Sequence, residues 1–171
     1  MTDEHIPVSV SLPPDWRLLP VGAFSTSLSP DDEPSLAREA LRRLQSRAEA
    51  VAATSTRLIF AAVGATGGEA PAPVGATLGL VPLPDGVLGE QDAGSVLRRA
   101  RSTVRFGEHE LPVAEFQFAR CSEDRGAMAI LTFVACVEGS GDELVAPLCE
   151  IASSLAVGTR QPAAALAGRS T

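Results

Sequence analysis

The chain has 171 residues, 45% of them hydrophobic and 4% aromatic, with a formal net charge of -7. That length supports one domain with its own core and is short for two, and the acidic balance disfavours duplex DNA and anionic membranes, both of which select basic surfaces. All 14 basic residues are arginine, which excludes a Schiff-base lysine and a phosphate-loop lysine.

The opening MTDEHIPVSVSLPPDW is polar and acidic, with neither a basic leader nor a long apolar run, so a cytoplasmic location without membrane insertion is expected. Val8 to Leu12 alternates apolar and polar residues and is stopped by Pro13 and Pro14, the pattern of a short edge strand. Such an edge offers a route to a homo-oligomer by pairing with a second copy. Leu18 to Ser27 reads as a second strand. The run SPDDEPS supplies an N-cap at Asp32 and Pro34 in the first turn, and a helix is expected from about Glu33 to Ala53, with Leu36, Ala40, Leu44, Ala48 and Val51 on one face. Arg57 to Gly64 and Val74 to Val81 read as strands that pair antiparallel across the loop ATGGEAPAP.

After the loop PLPDGVLGEQ a short helix is expected from about Ala93 to Arg101, capped by Asp92, with Val96, Leu97 and Ala100 inward. Thr103 to Phe106, the turn Gly107-Glu108-His109 and Leu111 to Ala119 form a hairpin. Its Ala114, Phe116 and Phe118 share one face, while Val113, Glu115 and Gln117 share the other, wet face. Ala127 to Val137 (AMAILTFVACV) is apolar on both faces, as a strand in the middle of a sheet covered on both sides must be. A Gly/Ser turn then leads to an amphipathic helix from Glu143 to Leu155, with Leu144, Leu148, Ile151 and Leu155 as its stripe, and Pro147 demands a late start or a kink. Residues 158–171 read as a disordered tail with little to bury, leaving residues 1–157 as a single domain. Few crossovers are long enough for parallel pairing. The class is therefore α+β, a mostly antiparallel sheet with helices packed on its faces in an α/β/α sandwich-like arrangement.

An N-terminal strand ending in Leu12-Pro13-Pro14-Asp15-Trp16, a late strand Leu111-Pro112-Val113-Ala114-Glu115-Phe116 after a glycine turn, and an apolar strand followed by a helix ending Ile151-Ala152-Ser153-Ser154-Leu155 resemble the PsbP-like superfamily. That superfamily includes the photosystem oxygen-evolving subunit, Ran-binding Mog proteins and many actinobacterial proteins, some of them lipoproteins or associated with type VII secretion. The resemblance implies an antiparallel sheet between helices and a role in binding or assembly, and it brings no catalytic set to transfer. The chain departs from the pattern in its long early helix and in carrying no lipoprotein signal.

Cys121, Cys136 and Cys149 are odd in number and widely spaced, which suits reduced thiols. Cys136 and Cys149 read as small core hydrophobes. Cys121 has Arg120 and Arg125 close in sequence, cations that can activate a thiol, against the plainer reading of an ordinary loop cysteine. His109 lies between Glu108 and Glu110, but neighbours in a strand point to opposite faces and do not converge on a metal. His5 is the other histidine, and without CxxC or HxxxH spacing no metal and no cofactor are expected. Neither the G-x-S-x-G elbow nor a nucleotide glycine fingerprint occurs, so no catalytic residue is assigned.

Two arginine groups remain. Arg42, Arg43 and Arg47 have acidic neighbours, whereas Arg98, Arg99, Arg101 and Arg105 are less balanced and can engage an anionic partner through bidentate contacts. Trp16 reads as cover for one end of the core, with an interface anchor as its functional alternative. The expected function is that of a non-catalytic accessory protein, an adaptor or chaperone-like partner of another protein, in a secretion-associated setting if the family resemblance holds. Its contact residues would be Arg98, Arg99, Arg101, Arg105 and Trp16. The alternative is a small-molecule binder or enzyme with a pocket between the sheet and the long helix, using His109, Glu115 and Arg105.

Overall fold

The structure, a computed structural model, describes residues 4–19, 57–66, 72–82, 98–106, 108–122, 126–137, 139–158 and 161–162. The helix expected from Glu33 to Ala53 lies outside the described residues, as does most of the strand expected from Leu18 to Ser27.

In chain order the elements are β1 (Glu4–His5), β2 (Val8–Ser9), β3 (Arg17–Leu19), β4 (Arg57–Thr66), β5 (Ala72–Pro82), β6 (Arg98–Phe106), β7 (His109–Cys121) and β8 (Ala127–Cys136). A 3₁₀ turn (Asp142–Leu144), helix α1 (Val145–Ser153), β9 (Ala156–Val157) and β10 (Gln161–Pro162) follow. Six strands form the main sheet in the order β3-β4-β5-β8-β7-β6, and β1-β10 and β2-β9 form two small ones. Every pair is antiparallel, in line with the α+β expectation, and α1 is the one α-helix among the described residues. The main sheet is two meanders, β3-β4-β5 and β6-β7-β8, joined where β8 returns to pair with β5.

The strand read as apolar on both faces, β8, occupies the centre. On one face Ala129, Leu131, Phe133 and Ala135 pair with Leu80, Leu78, Ala76 and Val74 of β5 and with Arg120, Phe118, Phe116 and Ala114 of β7. Alanines beside large side chains leave room for α1, whose Leu148, Ile151 and Ala152 complete this core with Leu144 and Leu155. Burial of a leucine or phenylalanine here contributes about 1.5–3 kcal/mol. The opposite face is also buried at its centre: Thr77 lies across from Thr132, and Val113, Val134 and Cys136 form a second apolar cluster. The hairpin face expected to be wet is thus only partly so, since Val113 and Ala119 are buried and Glu115 and Gln117 half-buried.

The principal correction is at β6. Arg98 to Arg101 belong to a strand that runs unbroken to Phe106 and pairs along its whole length with β7, where a helix ending at Arg101 was expected. Pairing with a long neighbour has overridden helical spacing and the good helix propensity of arginine. Pro147 behaves as expected. It falls at the third residue of α1, among the first N–H positions that have no intrahelical acceptor, and the 3₁₀ turn before it takes up the start of the segment.

Described segments near the two termini lie against each other. Val8 pairs with Val157 and Glu4 with Pro162, the Gly158 N–H donates to the Pro7 carbonyl at 2.8 Å, and the Ser11 N–H donates to Ser154 Oγ at 2.8 Å. Ile6, Val8, Val10 and Leu12, at the alternate positions of an extended chain, pack on the main core. Val8–Ser9 therefore spends one edge on β9, and pairing reaches Gln161–Pro162 in the segment expected to be a tail.

Candidate functional site

Strand β6 forms one end of the main sheet, and its sequence RRARSTVRF contains no acidic residue. The strand period divides its positions between faces. Arg99 and Arg101 lie opposite Phe116 and Ala114, on the face that carries α1, and Arg98 lies opposite Gln117 on the other. Arg98, Arg101, Ser102 and Thr103 are exposed, and Arg99 is half-buried.

Arg99 has an internal role. Its guanidinium stands over the Phe116 ring, 5.3 Å from the centroid, a cation–π contact strengthened by partial desolvation. Nη1 donates to Asp142 Oδ1 at 2.5 Å, Nη2 donates to the Ser140 carbonyl, and Nε is buried without a partner. Arg101 Nη2 donates to the same Ser140 carbonyl. The turn they grip is built for the contact: Gly141 has φ of 69°, a left-handed conformation that costs a side-chain-bearing residue about 1–2 kcal/mol, and Ser140 Oγ both donates to Asp142 Oδ2 at 2.6 Å and accepts from the Asp142 N–H at 3.2 Å. The Ser140 hydroxyl, then Arg99, hold the Asp142 carboxyl below its ordinary pKa of 3.8. The cluster fastens the sheet edge to the entrance of α1.

The other candidates separate. Trp16 is 8% exposed; its ring meets Phe133 edge-on at 6.1 Å between centroids, and its face lies on Gly64, where a Cβ would stand 2.3 Å from Cδ1. It covers the end of the core and is not an exposed anchor. Arg105 pairs with Glu110 in the ladder and His109 with Phe106. Position 105 has the parity of Ala114 and Phe116, positions 109 and 115 have the opposite parity, and 109 and 115 are about 20 Å apart along the strand. Arg105, His109 and Glu115 are therefore not brought together, and the pocket expected beneath the long helix falls outside the described residues. Glu115 lies between Ala100 and Val134 on the second face.

Cys136 is buried beside Val113 and Val134, and Cys149 packs against the main core. Cys121 ends β7 opposite Met128. Its neighbour Arg120 donates from Nη1 to the Leu155 carbonyl at 2.8 Å, which engages that cation at the exit of α1. Among the described residues no group of three or more His, Cys, Asp or Glu is placed to hold a metal, and no helix is long and apolar enough to cross a membrane.

Ser140, Gly141 and Asp142 were missed as members of an arginine cluster, although the sequence carries a usable signal: a Gly-Ser-Gly-Asp turn places an acid and a hydroxyl at the spacing in which one caps the other. Comparison with protein-family models, curated proteins and solved structures finds no match for the chain.

Proposed function

We propose that this chain is a non-catalytic accessory protein of the cytoplasm, an adaptor or chaperone-like partner of another protein, and that the arginine-bearing edge formed by β6 is its contact surface. One observation carries the reading: in a chain of net charge -7, a long terminal strand presents exposed Arg98 and Arg101 with Ser102 and Thr103, and no acid of its own. Arginine suits such a surface because its planar fork binds carboxylates in two-point fashion and is weakly hydrated. The PsbP-like resemblance supports a role in binding or assembly, in a secretion-associated setting.

Of the four arginines, Arg99 serves as a support: it fixes the turn below the edge and so holds β6 in place. Affinity capture with the full chain from its native host tests the proposal. A reproducible protein partner is expected with the wild type and a depleted one with Arg98→Glu. If no partner is recovered and the purified chain shows no self-association, the reading fails.

A further inference from the structure

We infer that β6 receives its partner as an added strand, and that the occupant is an extended, acidic segment of another protein. This rests on the accessory-protein reading and specifies the mode of contact. At one end of the main sheet β3 is described over Arg17–Leu19. At the other, β6 runs from Arg98 to Phe106 in unbroken register with β7, and no described strand pairs with its outer side. A strand of that length leaves a row of alternating main-chain donors and acceptors facing outward, the surface used in β-strand addition. Sheets usually guard such edges by shortness, a bulge or charge, and here charge is the device present.

Charge also selects the occupant. A second copy laid along β6 in parallel register, or antiparallel about Arg101, would set arginine against arginine, and like charges directly across a ladder are destabilising. An acidic strand meets the opposite situation. Arg98 and Arg101 are three positions apart and so lie on opposite faces of β6, which means that one added strand with acids at the same spacing is gripped from above and below. Arg98 is exposed, and Arg101, with one Nη2 bond to Ser140, keeps further donors of its guanidinium for a carboxylate. The Arg99 clamp on the 139–142 turn prepares the edge, because the strand is already anchored to the entrance of α1 before anything docks.

The test uses the full chain and a short synthetic peptide of threonines and valines with glutamates three positions apart. Binding is expected, with amide shift changes and new exchange protection confined to residues 98–106. N-methylating the peptide amides that face β6 should weaken binding about tenfold or more, since it removes main-chain hydrogen bonds and leaves charge intact. Arg98→Glu, an exposed change that leaves the core untouched, should weaken it comparably. Absence of binding overturns the inference, as does equal affinity for the N-methylated peptide, shifts centred away from β6, or a dimer in sedimentation whose β6 amides are protected without peptide. If the peptide fails while Arg98→Glu still depletes a partner captured from the host, strand addition is wrong and the accessory-protein reading stands.

Discussion

At the scale of single residues, Trp16 and Gly64 form one unit, because the indole face occupies the space that a side chain at position 64 would need. Gly64→Ala should cost about 2 kcal/mol, within the range for overpacking a filled core, in urea unfolding followed by the fluorescence of this sole tryptophan. The cost should shrink in a Trp16→Leu background, read by circular dichroism; equal costs in the two backgrounds would mean that the strain lies elsewhere. Asp142 makes a pH-dependent contribution of known sign. Its folded pKa is depressed, so its stabilisation is complete above the ordinary value of 3.8 and is lost as pH falls through the lower folded value. Wild type should exceed Asp142→Asn in stability by a constant margin near neutrality, and the margin should close in acid. Because this carboxylate is well exposed, salt should also narrow it. A margin that grows as pH falls would contradict the assigned cluster.

At the scale of elements, α1 depends on where its proline falls. Pro147 lies where an N–H has no helical acceptor, so Pro147→Ala should change stability little, whereas Glu150→Pro, in the middle of the same helix and exposed, should cost about 3 kcal/mol or more in denaturant unfolding. The contrast shows why this helix was legible in the sequence: a regular apolar stripe and a positioned proline are local signals, as are the alternation in β7 and the two-sided apolarity of β8. Strand β6 was not legible from its own residues. Val96, Leu97 and Ala100 fit helical spacing, arginine is a good helix former, and the deciding fact is the register that sets Arg99 against Phe116 and Arg101 against Ala114, a property of β7 as much as of β6. The same reason hid the site. Arg99 could be named as cationic, but its role depends on Ser140 and Asp142, about forty residues away in the chain, and on a left-handed glycine between them.

At the scale of the whole molecule, the segments carrying β1 and β2 clasp those carrying β9 and β10. Gly158 packs so closely on Pro7 that a Cβ there would stand 2.6 Å from the proline Cγ. Gly158→Val should push the segment carrying β2 away from β9, raising amide exchange at Val8, Ser9 and Val157 and proteolysis of the N-terminal segment, while amides of β5, β7 and β8 keep their protection. Uniform loss of protection across the sheet would instead show that clasp and sheet unfold as one unit. The main sheet has its own logic of assembly. Among the described strands each meander joins neighbours in chain order, and the two halves pair between β5 and β8, where Pro82 lies opposite Ala127 and Val74 opposite Ala135. The β4-β5 hairpin and the β6-β7-β8 meander can form by local search, whereas this central seam, like the pairing of Leu19 with Ala61, must wait for a loop of about forty residues to close. Until it does, Ala129, Leu131 and Phe133 lack their β5 neighbours, and that interval is when the nascent chain is most open to aggregation.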